Sequence, residues 1–147
     1  GFLITYDTSE DIANYFDINI SKLDFDEPYK MDALLALAIT KILYDEIDYE
    51  KINNFVQDPH KLEKLYDNNG MLWVNDSKAT NIDATIQALK SFKDYDINLI
   101  LGGDDKGANL EPLFEECKKY QLTIYAIGSN IEKINNLANS NKIKYIK

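Results

Sequence analysis

Two short stretches concentrate the side chains able to do chemistry. The first is NDSKATN, residues 75–81, which sets Asp76, Lys78 and Thr80 at alternate positions between an apolar run and a helical pattern. Backbone amides at a helix start attract anions. Lys78 adds a full positive charge and Thr80 a hydroxyl. Asp76 works in the opposite sense, because a carboxylate accepts hydrogen bonds from hydroxyls such as those of a ribose. One loop thus offers an anion seat and a polyol acceptor, against the plainer reading of a helix start with a solvated lysine. The second stretch is GGDDKGAN, residues 102–109. Gly102 and Gly107 carry the glycine spacing of a Walker A loop, but Ala108 and Asn109 follow where that motif has Lys and Ser/Thr. What remains is a flexible loop with Lys106 between an acidic pair and a helix start near Asn109. Either loop alone passes for a solvated turn. Two lysine-bearing loops on neighbouring strand ends are harder to dismiss.

Other candidates carry less. His60 is the only histidine, with no cysteine near it, so no zinc site is expected, and no metal ligands are assigned in the chain. Cys117 falls in the amphipathic stretch LFEECKKY and reads as a small helix residue rather than a nucleophile. The acidic pairs Asp104–Asp105 and Glu115–Glu116 read as solvated faces.

The elements that must position the loops follow a rhythm. From Met71 onward, strand MLWVN leads to helix NIDATIQALKSF, strand INLILG to helix LEPLFEECKKY, and strand TIYAIG to helix IEKINNLA, with KIKYI last. This alternation predicts an α/β fold: one parallel sheet with right-handed crossovers and helices on both faces. Ligands in such sheets bind beyond the carboxyl ends of the strands, where both lysine loops fall. Thr80 and Asp83 fit a capping box at the start of the first of these helices. Pro59 in QDPHKLEK breaks the pattern, so a domain boundary is expected between residues 58 and 59. A hairpin, or a turn through NNG into a strand, follows. Before the boundary, FLITY and INISKLDF are β-prone runs, and DYEKINNFV is a short helix capped by Asp48. KMDALLALAITKILY carries a wide stripe through Ala36, Ile39 and Leu43 and reads as a largely buried helix.

Composition excludes several functions. The chain has 147 residues, 45% of them hydrophobic, which supports a packed core. A net charge of −9 makes it a poor binder of nucleic acid or of an anionic membrane surface. A single cysteine rules out an internal disulfide and suits a reducing compartment, and no apolar run reaches the length of a membrane span. A cytoplasmic monomer is expected. No G-x-G-x-x-G follows any strand, which disfavours an oxidoreductase.

NDSKATNIDATIQAL together with LILGGDDKGANLEPL resembles the C-terminal domain of the Mur ligases, in the branch that adds D-glutamate. QDPHKLE resembles the segment joining the central domain to the C-terminal one, and MDALLALAI the helix near the end of the central domain. The resemblance implies residues 1–58 as the tail of an ATPase-like central domain and 59–147 as a Rossmann-like, amino-acid-binding domain, incomplete at its end. It implies a fragment of a peptidoglycan-precursor ligase that uses ATP, with magnesium bound outside this chain, to join D-glutamate to UDP-N-acetylmuramoyl-L-alanine through an acyl phosphate. By the same resemblance Asp76 would hold the ATP ribose, Lys78 would face the phosphates as the catalytic lysine, and Thr80 and Lys106 would hold the D-glutamate carboxylates. His60, Lys61 and Asp32 stand at nucleotide-contacting positions. The family usually has Arg where Lys61 stands, Asn where Asp32 stands, and a His–Asn pair where this chain has Pro28–Tyr29. A free-standing module that binds an anion or nucleotide without catalysis is the alternative.

Overall fold

The computed structural model describes residues 3–146. It divides into two compact units, one ending at Asp58 and the next beginning at Pro59.

The first unit is helical. Helix α1, Ser9–Phe16, opens on a capping box in which Thr8 and Asp11 satisfy each other's backbone amides. Helix α2 spans Tyr29–Tyr44, and α3, Tyr49–Asn53, is capped by Asp48, whose carboxylate accepts from Lys51 N at 2.8 Å. Ile12, Ala13, Ala33, Leu34, Leu37 and Ala38 form the core between α1 and α2, joined by Ile18 and Leu23.

Two expectations fail here. Neither β-prone run is a strand: Leu3–Tyr6 is irregular, Phe2 lies outside the described residues, and INISKLDF contains a 3₁₀ turn, Ile20–Lys22. Side chains of α3 capture that segment's backbone instead. Asn19 N donates to the Tyr49 hydroxyl at 2.8 Å, while Asn53 donates to Lys22 O and accepts from Asp24 N. The α2 stripe is also turned. Leu34 and Leu37 are buried, whereas Ile39 and Leu43 are 56% and 64% exposed.

The second unit holds two sheets. Strands β1, Glu63–Tyr66, and β2, Leu72–Asn75, pair antiparallel as a hairpin. Asp67 closes its turn by accepting from Asn69 N and Met71 N, and Gly70 takes a φ of 79°. Strands β3, Ile97–Gly102, β4, Leu122–Ile127, and β5, Lys144–Ile146, form a parallel sheet in that order. Helix α4, Ile82–Ser91, precedes β3; α5, Glu111–Cys117, and α6, Ile131–Ser140, make the crossovers. This is the α/β architecture expected of a Rossmann-like domain, with a correction. Among the described residues β2 pairs only with β1, so one sheet is replaced by a hairpin and a three-stranded sheet. A strand–helix rhythm fixes how strands are connected but not which neighbour each bonds, and the tight Asp67 turn brings β1 to β2 first.

Helices cover one sheet face rather than both. Leu99, Leu101, Ile124 and Ala126 pack with Phe114, Ile134 and Ala138, while Leu89 packs with Leu113 and Cys117. Ile100, Ile127 and Ile146, of opposite parity along their strands, are 58%, 52% and 43% exposed. Two crossovers of one hand between successive neighbours β3, β4 and β5 necessarily fall on the same side.

The strand ends approach closely where the second loop begins. A Cβ on Gly102 would lie 2.2 Å from Ile127 O, a backbone atom that cannot step aside. Gly102→Ala is therefore expected to destabilise this unit by about 1–3 kcal/mol through forced separation of β3 from β4. Denaturant unfolding checks this, and an unchanged midpoint would show that the strand ends have room to part.

Candidate functional site

The hairpin folds His60 back onto the first loop. Asn75 Nδ2 lies 2.8 Å from His60 Nδ1, and Lys78 N donates to His60 O at 3.2 Å. Asp76 Oδ1 accepts from Leu62 N at 3.1 Å, and Glu63 Oε2 accepts from His60 N at 3.2 Å. Holding this corner puts His60 at φ 68° and Leu62 at φ 47°, a left-handed conformation uncommon for residues other than glycine. The structure thus gathers His60, Asp76 and Lys78, with Lys61 beside them, from both ends of the hairpin. Asp76 is half-buried, and burial raises its carboxyl pKa above the ordinary 3.8, partly offset by the Leu62 amide. Its Oδ1 is occupied by that amide. Its Oδ2 has no partner among the described residues.

Thr80 escapes the capping role expected of it. Asn81 caps α4, its Oδ1 accepting from Ala84 N at 2.8 Å. Asn is a stronger N-cap than Thr, and the cap shifts by one residue. The Thr80 hydroxyl, on an exposed residue, is left available at the mouth of α4.

The second loop follows β3. Gly103, Lys106 and Gly107 have φ values of 102°, 51° and 77°. Asp104 accepts from Lys106 N at 2.9 Å and Asp105 accepts from Gly107 N at 3.0 Å, so the acidic pair builds the turn instead of merely facing solvent. Lys106 is exposed, and its ammonium pairs with no carboxylate among the described residues. Ile82, the first residue of α4, packs in the cluster that holds Leu110, just before α5.

Asp32 is exposed in the first turn of α2, in the other unit. Cys117 is 1% exposed, and burial, followed by the charge of Glu116, pushes its thiol up to about 12, which leaves it inert as a nucleophile. Among the described residues no group of His, Cys, Asp and Glu is placed to hold a metal ion, and no helix is long and apolar enough to cross a membrane. Sequence reasoning missed the residues that hold the site residues in place. Asn75 and Glu63 brace His60, and Ser129, Asn130 and Lys133 reach the second loop from the next βα connection. Only an Asn–Asp pair at the end of a strand hinted at the first group. Nothing local marked the second.

No family model matches the chain. Curated relatives do. A UDP-N-acetylmuramoylalanine–D-glutamate ligase of Campylobacter jejuni is 45% identical over 144 residues, covering 98% of this chain and 36% of the relative. The Helicobacter pylori enzyme of the same name is 46% identical over 145 residues, 92% of this chain and 34% of its own length. One from Buchnera aphidicola is 38% identical over 125 residues, 82% and 28% of the two chains. Spanning about a third of the length of the first of these relatives, the chain matches a fragment of UDP-N-acetylmuramoylalanine–D-glutamate ligases along 98% of its own length.

Proposed function

We propose that this chain is the part of an ATP-dependent amide ligase that admits D-glutamate and closes over the nucleotide. In that reaction ATP phosphorylates the carboxylate of UDP-N-acetylmuramoyl-L-alanine. The D-glutamate amine then attacks the acyl phosphate, and phosphate leaves as the amide forms. The observation that carries this reading is identity of 45% across 98% of the chain, which takes in both lysine loops. On this reading residues up to Asp58 end the ATP-binding domain and those from Pro59 bind the amino acid. The work is that of a cytoplasmic monomer in peptidoglycan precursor synthesis.

On this reading each site residue has a task. Asp76, with Oδ1 held by Leu62 N, offers Oδ2 to a ribose hydroxyl. His60 and Lys61, on the same corner, flank the nucleotide, and Asp32 keeps a nucleotide-contacting role. Lys78 sets its charge against the phosphates as the acyl phosphate forms and breaks, where a fixed cation stabilises the transition state. Thr80 and Lys106 take the D-glutamate carboxylates, fixing the amine for attack. Magnesium would neutralise phosphate charge in the intact enzyme. On this reading its ligands lie in the part of the enzyme outside this chain. The exposed Ile39 and Leu43 of α2 and the exposed sheet face at Ile100 and Ile127 are surfaces that the remainder of such an enzyme would cover.

The test is phosphate release with ATP, magnesium, the UDP-sugar substrate and D-glutamate. The full-length protein is expected to turn over and the 147-residue chain alone to show none. Turnover by the chain alone, above a heat-treated control, would overturn the reading.

A further inference from the structure

We infer that Lys133 is the positioning residue for Lys106, clasping the second loop from helix α6. The inference rests on the assignment of Lys106 to a D-glutamate carboxylate and extends it to a residue outside both lysine loops.

The loop needs an external hold. Left-handed backbone at Lys106 is unfavourable for a residue with a Cβ and persists only where the surroundings fix it. The bonds from Asp104 to Lys106 N and from Asp105 to Gly107 N give the turn its shape. They are local to the loop, however, and do not anchor it to the sheet. The anchors come from the β4–α6 connection and the first turn of α6. At the loop's start, Asn130 Nδ2 and Ser129 Oγ donate to Gly103 O at 2.6 and 3.2 Å. At its far end the Lys133 ammonium donates to Ala108 O at 2.8 Å and to Asp105 Oδ2. Asp105 is thereby shared, with one carboxylate oxygen on the loop backbone at Gly107 and the other on α6. Lys106 lies between these fixed points.

The clasp also sorts the charges. Asp105 adjoins Lys106 in sequence, and an uncompensated carboxylate there would compete with substrate for the Lys106 ammonium. Lys133 occupies that carboxylate and holds its pKa below the usual carboxylate value. One lysine neutralises the loop's acid while the other keeps its charge for an incoming anion. A surface ion pair with no such role would stabilise the fold slightly and touch no kinetic constant selectively.

The experiment uses the full-length protein with Lys133→Met, Lys133→Arg, Lys106→Ala and the Lys133→Met/Lys106→Ala double variant. Lys133→Met is expected to raise KM for D-glutamate roughly tenfold by misplacing Lys106. KM for ATP should stay within about twofold, as expected when only one substrate's binding is touched. Lys133→Arg should restore most of the D-glutamate affinity. In the double variant Lys133→Met should add nothing to Lys106→Ala, because one acts through the other. Hydrogen exchange over residues 103–109 should speed up in Lys133→Met while β3 and β4 keep their protection. Lys106→Ala raising KM for D-glutamate while Lys133→Met leaves it unchanged would overturn this inference and spare the site assignment. Equal rises in both KM values, additive losses in the double variant, or unchanged exchange of the loop would overturn it as well. If neither lysine affects D-glutamate, the assignment of Lys106 fails and this inference with it.

Discussion

Lys78→Ala in the full-length protein is expected to lower kcat by about a hundred- to a thousandfold, the usual loss when one preorganised group facing transition-state charge is removed. The KM values for ATP and D-glutamate should move far less, because the lysine's charge matters most while the acyl phosphate forms and breaks. The fold gives this expectation its basis. Lys78 N is tied to His60 O at 3.2 Å, and His60 is tied in turn to Asn75, so the loop carrying Lys78 is braced from both ends of the hairpin. Lys78 itself is an exposed residue on that braced backbone. Single-turnover measurements separate chemistry from product release. A Lys78→Ala enzyme with an unchanged chemical step would return this lysine to the status of a solvated helix-start residue.

Lys106→Ala is expected to act on binding instead. Loss of a charged hydrogen bond to a substrate carboxylate costs about 1.5–3 kcal/mol. That corresponds to a roughly ten- to hundredfold rise in KM for D-glutamate. KM for ATP should be nearly unchanged. The substitution removes a side chain without an ion pair among the described residues, so the loop's own bonds through Asp104 and Asp105 survive it. Steady-state kinetics with each substrate varied in turn is the check. Equal effects on both substrates would mean that Lys106 serves domain closure or folding in general.

How much of this was legible in the sequence depended on distance along the chain. The NNG hairpin and the strand–helix alternation after it were readable because turn residues and apolar periodicity are local signals. Helix α1 is hard to tell from its surroundings, although Thr8 and Asp11 carry its capping box, because it is only 8 residues long and β-prone runs flank it. The cap of α4 was misplaced by one residue, since Thr80 and Asn81 are both competent caps and only the folded backbone chooses Asn81. Pairing and burial were beyond reach. Whether β2 bonds β1 or β3, and whether Ile39 of α2 is covered, depends on which surfaces meet. The same holds for the site. The two lysine loops stand out by composition, whereas the grip of Lys133 on Asp105 joins a helix to the preceding βα loop, and no local pattern relates them.

The central claim is that this chain serves a ligase that joins D-glutamate to a UDP-linked acceptor, and isotope-labelled D-glutamate tests it most directly. Incubated with the full-length protein, ATP, magnesium and UDP-N-acetylmuramoyl-L-alanine, the label should pass into a UDP-linked product only when ATP is present. L-glutamate should not substitute, and Lys106→Ala should require a higher D-glutamate concentration for the same incorporation. Absence of label in the product while the folded protein still binds nucleotide would contradict the account and favour a binding module without catalysis.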